Sequence, residues 1–249
     1  MQIGATSKSI RNSSTSDENP YWISFSDIMA GLLIIFILAC AVLLLQLIQM
    51  KNRVKVDIRE LHIANQIRRE LLEEIAAKLK EKGIIVEVSD NHTIIRIPEQ
   101  QLYFKTNSYE ILENHRGTVA DIGKILHDSI SQDRRLKILD TIFIEGHTDS
   151  RRANRFAMGN WGLSSFRAIS IWKFWTEETE YGDSLKSLKN KYDKPLFSVS
   201  GYADSRRLVE TEITDEQRRC NRRIDIRFTT RQPSVTQYEG VLDLFKDDR

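Results

Sequence analysis

IFIEGHTDSRRANRFAMGNWGLSSFRA at residues 142–168 and QRRCNRRIDIRF at residues 217–228 decide the fold. The first stretch opens on an apolar run that reads as a strand at 138–145 and passes into the polar EGHTD, so Asp149 stands just beyond a strand end. An arginine-bearing loop follows, with Arg151, Arg152 and Arg155. Ser164 then offers a helix N-cap, which predicts a helix from about 164 to 180 with Arg167 in its first turn. The second stretch holds a closing strand at 222–229, with Arg222 and Arg223 at its start as strand-end structure.

Outward from these, IIVEV and TIIRI flank Ser89-Asp90-Asn91 and predict a β-hairpin. A helix near 110–130 and a strand at 196–201 complete the series. Strand and helix alternate, which implies an α/β sandwich with its helices on one sheet face. Before the hairpin, Leu61, Ala64, Ile67, Leu71 and Ile75 recur at three- and four-residue steps, while Glu70, Glu73, Glu74 and Lys78 fall elsewhere on the wheel. An amphipathic helix over 51–83 follows, with Gly83 as its stop. Its apolar stripe is able either to pair with a second copy or to pack on its own domain.

Further back, IMAGLLIIFILACAVLLLQLI runs from Ile28 to Ile48 with Gln46 as its only strongly polar member. At 1.5 Å per residue, a run of about 21 residues covers roughly the 30 Å of a bilayer core. Tyr21 and Trp22 precede it as an aromatic belt would, and Lys51, Arg53 and Lys55 follow at headgroup level. Asp17 and Glu18 in the leading segment, and the lack of a small-residue cleavage site, favour an uncleaved anchor over a signal peptide. A lipoprotein signal ending at Cys40 is disfavoured because the apolar run continues for eight residues beyond it.

The fold class is therefore α+β, a single N-terminal transmembrane helix followed by an α/β sandwich. The expected boundaries are a disordered tail at 1–20, cytoplasmic only on the resemblance given below, the span at 21–50, the juxtamembrane helix at 51–83, the domain at 84–230 and a loose tail at 231–249. Composition excludes other classes. The 37 basic and 35 acidic residues nearly cancel, so no basic field is available for direct nucleic-acid binding. Cys40 and Cys220 suit neither a disulfide nor a zinc site, and no nucleophile with a base beside it suggests an enzyme. No cofactor or metal is expected.

The ordered pieces EGHTD, N-x-G-L-S-x-x-R-A, GYAD near Gly201 and NRRI resemble the OmpA-like peptidoglycan-binding domain shared by outer-membrane anchors, Pal lipoproteins and MotB. Leu102-Tyr103-Phe104 with Asn107-Ser108 fits the family's opening motif more loosely. The resemblance implies that Asp149 and Arg167 hold the ammonium and carboxylate of diaminopimelate, and that Asn160 orients the loop or the stem peptide. A zwitterion needs both signs closely spaced, which suits an acid and a planar guanidinium. An alternative is that Asp149 and Arg167 form only a structural salt bridge. The segment between Asp149 and Asn160 is longer than usual for the family. His147 reads as a structural hydrogen-bonding residue.

Asp27 stands about 7.5 Å deeper than Trp22 if the helix starts there, where a carboxylate costs up to roughly 3 kcal/mol at full depth. Either it serves ion transfer, or Ser26 or Asp27 is an N-cap among headgroups. W-x-x-x-x-D-x-M ahead of an OmpA-like domain resembles the MotB class of stator subunits, which implies a homodimer inside a multi-pass ring with Asp27 carrying a proton, or sodium if Ser24 and Ser26 assist. Within that class the layout is most similar to ZorB of the Zorya anti-phage systems, implying a ZorA-like (MotA-like) partner. The alternatives are a flagellar MotB-type subunit and a passive wall tether. Residues 51–60 are candidate plug material. Lys51, Arg53, Lys55 and Arg59 outnumber Lys8 and Arg11 and would place the C-terminus inside, whereas the resemblance requires the inner membrane with the N-terminus cytoplasmic and the domain periplasmic.

Overall fold

The computed structural model describes residues 20–231; the tails expected at 1–20 and 231–249 lie, but for Pro20 and Arg231, outside them. Two compact units divide at Val56 and Asp57. In the first, helix α1 (Pro20–Glu81) begins, its opening residue needing no N–H partner in the first turn. It is the one helix among the described residues long and apolar enough to cross a membrane. The large apolar side chains from Ile28 to Ile48 are all exposed. A continuous apolar surface of that kind is stable only against lipid or another protein.

In the second unit the same helix packs on its own domain. Ala64, Ile67, Leu71 and Ile75 are buried, and Leu72 and Leu79 join them. The stripe is thus used inside the domain and is not a free dimer seam. Beyond Glu81 the chain turns at Gly83 (φ 77°), where Gly83 N donates to Lys80 O and Ile84 N to Leu79 O, both at 2.9 Å.

The remaining elements are β1 (Glu87–Ser89), β2 (Ile94–Pro98), α2 (Glu113–Ile130), α3 (Asp133–Leu136), β3 (Leu139–His147), α4 (Gly159–Glu177), α5 (Gly182–Ser187), β4 (Phe197–Gly201), α6 (Asp215–Asn221) and β5 (Arg223–Thr230). The strands form one sheet in the order β1-β2-β5-β3-β4, with only β3 and β4 parallel. Between β1 and β2, Asp90, Asn91 and His92 all take positive φ near 55°, a conformation Asp and Asn tolerate best. The short helices α3, α5 and α6 were not anticipated. Each is four to seven residues, too short for an apolar period to show.

Strand alternation sorts the sheet into two faces. Ile95, Ile97, Ile142, Ile144, Ile224, Ile226 and Phe228 meet Leu71 and Ile75 of α1, Ile122 and Leu126 of α2, and Ile171 and Trp175 of α4 in one core. The opposite face carries charge, and the register sets Glu145 beside Asp225, His147 beside Arg223 and Arg96 beside Asp225.

Helix α4 approaches the sheet through two glycines. A Cβ at Gly146 would lie 2.1 Å from Ser164 O, and one at Gly201 would lie 2.5 Å from Ser165 N. Backbone atoms cannot yield there. We therefore expect Gly146→Ala to destabilise the domain by about 3 kcal/mol. Gly117→Ala, whose Cβ meets nothing within 4 Å, should be neutral or stabilise α2 by about 0.5–1 kcal/mol. Denaturant titration of both variants, followed by tryptophan emission, checks this; equal midpoints would refute the close approach.

Candidate functional site

The end of β3 is stitched to the turn after β4. Tyr202 N donates to Gly146 O and Thr148 N to Ala203 O, each at 2.9 Å. Ala203 sits at φ 49° with its N–H donating to Ser164 Oγ at 3.0 Å. These bonds fix where the chain leaves the sheet, and Asp149, 5% exposed, is the first acid beyond it. Asn160 holds the loop that follows: its Oδ1 accepts from Ala153 N at 2.9 Å and its Nδ2 donates to Asp149 O at 3.1 Å.

Helix α4 starts at Gly159 rather than near Ser164, with Met158 at the cap position. Ser164 is accordingly no N-cap. It is fully buried inside the helix, donating to Trp161 O at 3.1 Å. A glycine at φ 56° lets the chain enter the helix one turn earlier than the serine signal suggests. Arg167 therefore lies in the third turn, 4% exposed, not in the first. Its Nε donates to Ser108 O at 3.0 Å and its Nη2 to Lys105 O at 3.3 Å, across a turn where Asn107 takes φ 55°. The Phe104 ring lies under it at 5.1 Å. Burial pulls the Arg167 pKa down to about 10, which leaves it cationic at neutral pH.

Asp149 and Arg167 do not pair with each other. Asp149 Oδ2 instead receives Arg151 Nη2 at 2.8 Å and Arg222 Nη1 at 2.5 Å. Burial works to raise the Asp149 pKa, but the hydrogen bonds from Arg151 and Arg222 outweigh it and hold the carboxyl below its ordinary value. Arg222 also grips Glu99 through two bonds of 2.5 and 2.6 Å. Burial opposes its charge, yet Glu99 and Asp149 together hold Arg222 more firmly protonated than a free guanidinium.

Arg222 thus belongs to the site and is more than strand-end structure. It precedes β5, so it escapes the alternation that sends Arg223 to the charged sheet face. Glu99 was missed; its only signal is an acid directly after a strand, much as Asp149 stands two residues beyond β3. Asp149, Arg167, Glu99 and Arg222 line one cleft of about 410 Å³, with Tyr103, Phe104, Arg151, Arg152 and Arg219 among its other walls. Five arginines face three carboxylates in it. The arrangement offers fixed donors and acceptors to a small ligand bearing both charges, and no nucleophile activated by a base.

Residues 103–222 match the OmpA family. The folded domain is OmpA-like. Among solved structures, the periplasmic domain of Helicobacter pylori MotB is 19% identical, with 64% of this chain and 88% of that one covered and a TM-score of 0.45. A putative MotB-like protein from Desulfovibrio vulgaris is 20% identical over 69% and 96%, with a TM-score of 0.49. The cell wall anchor of the T6SS from Pseudomonas aeruginosa is 20% identical over 66% and 99%, at 0.45. No curated protein gives a significant match to the chain.

The charged sheet face of the OmpA-like domain is a separate feature. Glu145, His147 and Asp225 bring ligand atoms within 4.8 Å of one another. Arg96 and Arg223 donate to Asp225 at 3.1 and 3.0 Å, and Arg227 to Glu145 at 2.8 Å. Two carboxylates thus already face three guanidinium groups, so a divalent cation would enter against net positive charge. The cluster braces the sheet. Among the described residues His147 makes no hydrogen bond on either ring nitrogen, its Nε2 lying 3.5 Å from Asp225 Oδ2; it stacks on Tyr202 at 5.4 Å, which corrects the expectation of a hydrogen-bonding role.

Burial first, and then Arg223, lower the His147 pKa to about 3. The unfolded chain binds this proton near 6.5 and the folded domain does not. Stability is therefore fully present above about pH 6.5 and is lost as the pH falls toward 3, on the order of 3 kcal/mol by pH 4. His147→Phe keeps the ring stack and removes the titration. Its stability should fall less steeply between pH 6.5 and 4; identical slopes for variant and parent would contradict the assignment.

In the membrane-type helix, Asp27 lies two turns inside α1, with Ser24 and Ser26 exposed beside it. Since the helix begins at Pro20, neither Ser26 nor Asp27 is its N-cap.

Proposed function

We propose that this chain is a peptidoglycan-anchored stator subunit of an ion-driven rotary motor in the inner membrane, and specifically the ZorB component of Zorya anti-phage defence. The observation that carries the wall-binding half is the cleft at the end of β3, where Asp149 and the buried Arg167 line one cavity of an OmpA-like domain. Diaminopimelate presents one ammonium and one carboxylate. Asp149 accepts the ammonium, and Arg167, whose Nη1 makes no hydrogen bond among the described residues, donates to the carboxylate. Asn160 acts through the loop, holding Asp149 in place.

The motor half rests on Asp27 and on W-x-x-x-x-D-x-M. A homodimer sits within a ring of a multi-pass, ZorA-like subunit, its two Asp27 groups facing ring sites. Protonation discharges the carboxylate and releases it from one site; deprotonation draws it to the next. The proton is preferred over sodium, because among the side chains next to the acid in sequence Ser24 and Ser26 alone offer oxygens, too few to replace a hydration shell. Binding and transport, not catalysis, are the activities.

Topology is the first test, since the wall is reached only from the periplasm. In spheroplasts carrying the intact chain, external protease should degrade the OmpA-like domain, and the solubilised chain should co-sediment with purified sacculi. Protection of the carboxyl end from external protease would sink the proposal, and so would absence from the sacculus pellet.

A further inference from the structure

The cleft holds more cationic groups than one zwitterion can use. Arg222 is bound to Glu99 and Asp149, Arg151 to Asp149 with Asp215 3.6 Å away, and Arg167 serves the ligand carboxylate in the function proposed above. Two guanidinium groups remain. Arg152 lines the cleft from the exposed loop and, among the described residues, makes no hydrogen bond or ion pair. Arg219 lines it from α6, half exposed, and among the described residues has no ion-pair partner nearer than Glu99 at 3.9 Å. Glu99 is already bidentate with Arg222.

A neutral zwitterion would leave both uncommitted charges lining one cleft, an arrangement that costs energy without a counter-ion. Because the D-glutamyl residue before diaminopimelate is linked through its side chain, its α-carboxylate is free, and it lies one residue from the zwitterion. That spacing suits a cation at the rim of the same cleft. We propose that Arg152, assisted by Arg219, forms a second carboxylate subsite that reads the D-glutamyl α-carboxylate of the stem peptide, so that the domain discriminates free from amidated stems.

The proposal rests on the diaminopimelate assignment, and one titration separates the two. The full chain in detergent is titrated calorimetrically with L-Ala-γ-D-Glu-diaminopimelate and with the same tripeptide amidated at the glutamyl α-carboxylate. The parent should bind the free acid three- to tenfold more tightly, the range for an exposed charge-assisted contact screened by solvent. Arg152→Gln should bind both peptides equally, at the affinity of the amide. Arg155→Gln removes the same charge from the same loop but outside the cleft, and should keep the preference.

Equal binding of both peptides by the parent would overturn the second subsite while leaving the diaminopimelate assignment standing. A preference that persists in Arg152→Gln, or one lost equally in Arg155→Gln, would overturn Arg152 as its reader. Failure of both peptides to bind the parent would remove the assignment itself and the subsite with it.

Discussion

On the stator function proposed above, Asp27→Asn is expected to reduce the motor's output to background while leaving the protein inserted in the membrane and bound to the wall. Asparagine matches aspartate in shape, so the packing of α1 is kept, and a neutral amide costs less than a carboxylate within the bilayer. What is lost is the ability to alternate between charged and neutral forms, and without that alternation no ion is carried. The cleft residues lie in the other unit of the chain, so sacculus binding should be unchanged. Phage plaque counts on cells carrying the full system, with proton flux into vesicles as a second readout, measure the effect. Asp27→Glu, which retains the titration on a longer arm, should keep partial activity. Unchanged protection by Asp27→Asn would make the chain a passive wall tether.

Arg167→Ala and Asp149→Ala should each weaken retention on sacculi by about two orders of magnitude, which corresponds to roughly 3 kcal/mol for losing one partner of a partly buried charged contact. Both also affect the fold, through different contacts. Removing Arg167 strips the donors from Ser108 O and Lys105 O and uncovers Phe104, so a stability loss of about 2 kcal/mol should accompany the binding loss. Removing Asp149 leaves Arg222 still held by Glu99 and Arg151 free to face solvent. Arg151 N and Arg222 Nη1 lose an acceptor, however, so a stability cost of about 1–3 kcal/mol is expected here too, and the melts are needed to separate it from the lost ligand contact. Binding isotherms beside thermal melts distinguish these outcomes, and normal retention of the Asp149→Ala variant would refute the site.

Much of this was legible in the chain itself. Periods of two and 3.6 are local, so the hairpin, α2, β3, β4 and β5 could be placed within a few residues, as could the apolar run of α1. EGHTD marked Asp149 because a polar cluster ending an apolar strand lies at a sheet edge. Ser164 misled because N-cap chemistry is shared with buried serines that serve another element, here the N–H of Ala203.

Composition and periodicity thus determined the class of the molecule: one long apolar helix, then an α/β domain; Asp149 and Arg167 were singled out as a site by the resemblance. Tertiary structure alone decided the partners. Glu99 and Arg222, 123 residues apart, meet only because β2 and β5 pair, and Asp149 turns out to be held by Arg151 and Arg222 rather than by Arg167. The reason is physical: hydrophobic pattern is set by each residue's own neighbours in sequence, whereas which charges come within a few ångströms depends on register and chain crossing, to which that pattern is blind.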